Sequence, residues 1–99
     1  MIDLLSKIYV DLNEVVIRKV SHDKEILSTR IIKEHTKICE YCFNIKSSNK
    51  DKNYMLEFKV SIKYILFLLN YFISKKIINN DVYKIIEKEY KDLYYIINP

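Results

Sequence analysis

The chain contains no glycine and no tryptophan, and its single proline is Pro99. Without glycine no position takes a positive φ free of steric cost, and without an internal proline nothing in residues 1–98 is a built-in helix breaker. The same lack excludes several chemistries. Phosphate-cradling loops, dinucleotide fingerprints and nucleophile elbows are all built on glycine. Long hydrophobic runs are missing too. The longest, YILFLLNYFI at residues 64–73, covers roughly 15 Å as a helix, about half the hydrocarbon thickness of a bilayer, and Lys63 and Lys75 bracket it. The opening MIDLLSKIYVDLNE carries an acid at Asp3 and no sustained apolar run, so no secretory signal is expected. A cytoplasmic protein with no membrane contact is the expectation.

What is present describes a folding chain. Ninety-nine residues with 49% hydrophobic and 30% charged side chains suit one domain, residues 1–99, with one core. Net charge is +4, but only Arg18 and Arg30 are arginines among 17 basic residues. Lysine, isoleucine, asparagine and tyrosine are inflated together, as an AT-rich genome would produce. The basic balance alone is therefore a weak pointer to nucleic acid.

Apolar residues recur at helical period in four blocks. The first holds Leu5, Ile8, Leu12, Val15, Val16 and Val20. The second, with Ser21 or Asp23 as its cap, holds Leu27, Ile31, His35, Ile38, Cys42 and Ile45. SSNKDKN at 47–53 reads as the central loop. The third block is Met55, Phe58, Ile62, Ile65, Leu66, Leu69, Phe72 and Ile73. Asn79-Asn80 before Asp81 reads as a cap for the fourth block, Val82, Ile85, Ile86, Glu89, Leu93 and Ile96, and Asn98-Pro99 closes it. Four amphipathic segments with short connections predict an all-α fold, an antiparallel up-down four-helix bundle.

The third helix carries a second apolar stripe, Val60, Tyr64, Phe67 and Tyr71, and the fourth adds Tyr83, Tyr90 and Tyr94. A helix apolar on two faces is buried on two faces, and a chain of this size has only one core to offer. Tyrosine suits interfaces, since its ring buries area while its hydroxyl stays wet. These seven residues are the predicted homo-oligomer interface. Tyrosines half-buried on a monomer are the plainer alternative.

Basic residues run in helical lines: Arg30, Lys33 and Lys37 on the second helix; Lys52, Lys59 and Lys63 on the third; Lys84, Lys88 and Lys91 on the fourth. Such lines suit RNA or DNA phosphates, which require point charges and no fixed geometry, and Tyr94 and Tyr95 beside Lys91 offer rings to bases. Acids are interleaved at Glu34, Glu40, Glu57, Glu87, Glu89 and Asp92, which is also how an ordinary solvated face looks.

HTKICEYC at 35–42 gathers both cysteines with a histidine. His35 and Cys39 lie one turn apart and so can share an ion. His35 and Cys42 are separated by about 10.5 Å along the axis, too far for one tetrahedral zinc. A disulfide between Cys39 and Cys42 would distort the helix and is disfavoured in a reducing cytosol. The three residues read as an inward face, with no metal, no cofactor and no catalytic cysteine. No pair of carboxylates is isolated by the sequence in an apolar pocket, so no acid–base catalyst is named and no enzyme is expected.

STRI at 28–31, followed by LEFKVSIKYILFLLNYFISKKIINNDVYKIIEKEYKDLYYII at 56–97, resembles the four-helix-bundle superfamily of the accessory variability determinants of diversity-generating retroelements. Proteins encoded in intervening sequences of bacterial ribosomal RNA genes belong to the same superfamily. The pair Arg30-Ile31, the leucine-rich stretch 62–72, Ile77-Ile78 and Tyr83 carry the resemblance. Val20-Ser21 stands where that family has a Phe-Pro turn. The resemblance implies a non-enzymatic accessory protein, a homopentamer that binds RNA and a reverse transcriptase. The alternative is a phage or mobile-element interaction module that modulates a host complex without touching nucleic acid.

Overall fold

A computed structural model of the chain describes residues 1–17, 22–44 and 52–98. Four helices account for almost all of them: α1 (Ile2–Ile17), α2 (His22–Asn44), α3 (Lys52–Ser74) and α4 (Asn80–Ile97). No strand occurs among the described residues. Each helix packs on two others, in the pairs α1 with α2, α2 with α3, α3 with α4 and α1 with α4. Along the α2–α3 seam Tyr41 meets Glu57, Glu34 meets Ser61 and Arg30 meets Tyr64, so positions fall on one helix as they rise on the other. The two longest helices have 23 residues, roughly 34 Å of rise, and lie within a body of 42 × 23 × 20 Å. Val20, Ser21, Ile45, loop residues 47–51, Pro99 and the side chains of Val16, Asp23 and Lys52 lie outside the described residues.

Of the first two apolar stripes, eight of the predicted positions are buried and Leu27 is half-buried. Leu5, Ile8, Leu12 and Val15 face Ile31, His35, Ile38 and Cys42 across the core. Each aliphatic side chain removed from water in this way contributes about 1.5–3 kcal/mol before its entropy cost.

On the other two helices Phe58, Ile65, Leu69 and Phe72, and Ile86, Glu89 and Leu93, are buried as predicted, while their neighbours differ from expectation. On α3 the fully enclosed positions are Phe58, Ser61, Ile65, Leu68, Leu69 and Phe72, while Ile62, Leu66 and Ile73 are only half-buried. On α4, Ile86, Glu89, Tyr90, Leu93 and Ile97 are buried, and Ile85 and Ile96 are exposed. α3, apolar on two sides, allows several i, i+3, i+4 stripes, and periodicity cannot choose between them; α4 is amphipathic, and Ile85 and Ile96 stand one position before the buried Ile86 and Ile97. α3 also begins at Lys52, inside the segment read as loop.

Helix ends follow local chemistry. Asn79 caps α4, its Oδ1 accepting from the Val82 N–H at 3.0 Å, and Asp81 sits in the first turn. At the end of α3 the Ile77 N–H bonds the Phe72 carbonyl and the Lys76 N–H the Ile73 carbonyl, both at 2.9 Å. This is a Schellman closure, whose left-handed position usually belongs to glycine. Here Lys76 occupies it, at φ 59°. Lacking glycine, the chain accepts a Cβ clash at this turn. Lys76→Gly is therefore expected to stabilise the fold by about 1 kcal/mol, despite the added freedom of the unfolded chain. Urea unfolding of the two proteins checks this; equal midpoints contradict it.

Candidate interaction surface on helices α2, α3 and α4

The burial of α3 on one side leaves Leu56, Val60, Phe67 and Tyr71 outside, with Phe67 66%, Val60 56% and Tyr71 43% exposed. Isolated exposed apolar residues are ordinary, but these recur one to two turns apart and form a ridge along the helix. Tyr64 is half-buried on the flank of this ridge.

A groove lies on each side of α3. Toward α2 it is lined by Arg30, Lys33, Glu34, Lys37, Val60 and Tyr64. The Arg30 guanidinium donates to the Tyr64 hydroxyl at 3.2 Å. Lys37 lies 3.7 Å from Glu34, whose other oxygen accepts from Ser61 at 2.7 Å. Exposed pairs of this kind contribute at most about 1 kcal/mol, and Lys33 and Arg30 remain available to an anion.

Toward α4 a groove of about 220 Å³ is lined by Lys59, Ile62, Lys63, Leu66, Glu87, Tyr90, Lys91, Tyr94 and Tyr95. Lys59 Nζ lies 5.2 Å from the centre of the Tyr94 ring, a cation–π distance. Lys59 and the Asn98 amide both donate to the Tyr94 hydroxyl, and these bonds hold its pKa below the usual tyrosine value. Tyr94 also stacks on Phe58, and Tyr95 sets its edge against Tyr94 at 6.2 Å. Lys91 is 3.9 Å from Glu87.

The structure thus brings Arg30, Lys33 and Lys37 together, and separately Lys59, Lys63 and Lys91. Lys84 and Lys88 are exposed on α4 and line neither groove. Of the predicted interface, Val60, Phe67 and Tyr71 share one ridge with Tyr64 at its edge. Half-buried Tyr83 and Tyr94 sit on the flank of α4 that meets α3, where Tyr83 contacts Asn70 and Tyr94 contacts Phe58. Tyr90 does not belong to the outer surface: it is 1% exposed, inside the core. Its hydroxyl is what allows that, because a partner waits there.

That partner is His35. Tyr90 Oη lies 2.8 Å from His35 Nδ1, and the Leu5 carbonyl lies 3.2 Å from Nε2. One neutral tautomer satisfies both: Tyr90 donates to Nδ1, and Nε2–H donates to Leu5. Burial pushes the His35 pKa below its ordinary 6.5, partly offset by the Leu5 carbonyl. A lowered value means the unfolded chain takes up the proton first, so this network loses stability as pH falls below 6.5. Tyr90→Phe leaves Nδ1 buried without a donor, and a loss of about 1–3 kcal/mol is expected in urea unfolding at neutral pH. An unchanged midpoint would mean that the bond contributes nothing.

The cysteines complete the picture of an inward face. Cys39 Sγ is 3.6 Å from His35 Nε2, and both thiols are free. Burial pushes the Cys39 thiol up and the Cys42 thiol up to about 12, the reverse of what a nucleophile requires. Among the described residues no three His, Cys, Asp or Glu side chains gather to hold a metal, and no helix is long and apolar enough to cross a membrane.

No family model, curated protein or solved structure matches this chain. Its functional reading therefore rests on the surface itself. One pair escaped sequence reasoning altogether: Asp11 on α1 and Glu89 on α4, which meet at the helix seam. Glu89 stands in the apolar register of α4, but nothing in the primary structure places Asp11 opposite it.

Proposed function

We propose that the chain is a non-enzymatic binding module, a single-domain antiparallel up-down four-helix bundle of the cytoplasm. It self-associates through α3 and contacts RNA with the lysines on either side. The observation that carries this is the composite surface of α3, an exposed apolar ridge flanked by two basic grooves. An apolar ridge favours burial against a second copy, and clustered lysines favour a polyanion. The resemblance to accessory variability determinants supports the same pairing of roles and adds a reverse transcriptase as protein partner. It also supports a ring of five copies.

Fluorescence anisotropy of a labelled single-stranded RNA against the chain, repeated over a range of salt, tests the RNA part. The expected result is an affinity that falls log-linearly with salt with a slope of several units. Absence of binding at low salt removes RNA from the account.

A second reading is favoured by one observation. Glu34 sits beside Lys37 and Glu87 beside Lys91, so each groove carries its own partial neutralisation. On that reading the module comes from a phage or mobile element and uses the ridge to engage a host complex, with no nucleic acid involved. The same salt titration separates the two.

A further inference from the structure

The seam between α1 and α4 holds a feature that neither RNA contact nor self-association uses. Glu89 is 5% exposed, and among the described residues neither of its oxygens has a hydrogen-bond donor. Asp11 Oδ2 beside it is in the same condition. Ionised, the two carboxylates present acceptors to each other and no proton between them. Lys7 Nζ stands 4.0 Å from Glu89 Oε2, with its own side chain largely in solvent. Unpaired buried charge is expensive, and two like charges at one site cannot both be accommodated cheaply. A proton on Glu89 turns one of these acceptors into a donor that Asp11 can receive.

The same seam is poorly filled. Next to Asp11 a cavity of about 330 Å³ opens among Val15, Ile77, Ile78, Val82 and Ile86. Missing packing at that end leaves α1 less firmly held to α4 than a filled interface would.

We propose that one proton shared between Asp11 and Glu89 latches α1 onto α4, and that its loss loosens α1 while the α2–α3 pair stays folded. The charged groups facing the pair fit this assignment. From α1 come Asp11 and Lys7, with Glu14 one turn further along at the cavity. From α4 comes Asp92, whose charge also disfavours ionisation of Glu89. α3 meets the opposite flank of α4 with Lys59 and Lys63, and α2 reaches α4 through His35 on Tyr90. Burial, then the Asp11 hydrogen bond and charge, push Glu89 up to about 7, which puts the transition near neutral pH. For a raised carboxyl the sign is fixed: its stabilising contribution is present below the unfolded value of 4.5 and is lost as pH rises through the folded value.

Amide hydrogen exchange, corrected for intrinsic rates and followed helix by helix, tests the latch. Protection of α1 is expected to fall ~10-fold or more between about pH 5 and pH 8, with α2 and α3 changing far less. Glu89→Gln, which keeps a neutral donor at the site, is expected to remove this fall and leave only the opposite, smaller dependence of the His35–Leu5 contact, which weakens below pH 6.5. Should that variant fold poorly, Asp11→Asn is the second test, since its amide donates to an ionised Glu89 and reduces the dependence, burial of Glu89 alone remaining. Equal α1 protection in the unaltered chain at the two pH values overturns the proposal, as does a variant that keeps the unaltered profile.

Discussion

Phe67→Asp combined with Val60→Asp is expected to abolish self-association at micromolar concentration while leaving the fold intact. Both side chains are more than half exposed in the monomer. Surface substitutions away from caps and networks ordinarily change stability by no more than about 0.5 kcal/mol, so the unfolding midpoint should hardly move. In an assembly that buries α3 against a second copy, the same positions are central apolar anchors. Truncating one such anchor costs roughly 2–4 kcal/mol, a loss of about 30- to 1,000-fold in affinity, and a desolvated carboxylate costs more. Light scattering on the double variant should give the mass of a single chain. If the variant assembles as the unaltered chain does, the ridge is not the interface.

The second large effect concerns the lysines. Replacing Lys59, Lys63 and Lys91 with glutamine should weaken binding of single-stranded RNA about 100-fold at ~0.1 M salt and lower the salt slope by about 2, since each phosphate contact to a single strand adds roughly 0.7 to that slope. The corresponding changes at Arg30, Lys33 and Lys37 should act similarly, because phosphate contacts add as point charges rather than as a fixed geometry. Glutamine removes the charge and shortens the stem from four methylenes to two, without placing a bulky or charged group in the groove lined by Leu66 and Tyr94. Changing Lys84 and Lys88, which line neither groove, should cost markedly less. Equal losses from all three sets would point to net charge alone, without a located surface.

How much of this was legible in the primary structure depends on how one-sided each helix is. α1 and α2 each offer a single i, i+3, i+4 apolar stripe, so Leu5, Ile8, Leu12 and Val15, and Ile31, His35, Ile38 and Cys42, fell where periodicity put them. HTKICEYC, which has the residue types of a ligand set, marks an inward face for a physical reason: His35 finds Tyr90 and Leu5 there, and both thiols are held neutral. α3 carries too many apolar residues for a unique stripe. Ser61 and Leu68 were missed because Ile62 and Leu66 fit an equally good template, and Tyr90 was placed outside because its buried hydroxyl partner lies 55 positions away.

Long-range pairing accounts for the other omissions. Asp11 and Glu89 belong to helices at opposite ends of the chain, and periodicity within one helix carries no information about which residue of another will face it. Lys76 shows the converse. The absence of glycine argued against a left-handed turn, yet the closure of α3 by Phe72 and Ile73 imposes one, and the nearest residue takes it. The outer ridge of α3, in contrast, was readable in advance, because a second apolar stripe has nowhere to go inside so small a bundle.

The central claim is that this ridge is covered by another copy of the chain. Sedimentation equilibrium of the unaltered protein at micromolar concentration tests it most directly. The account predicts a mass that is a multiple of the 12.0 kDa chain and that dissociates on dilution; a mass of one chain at every concentration contradicts it.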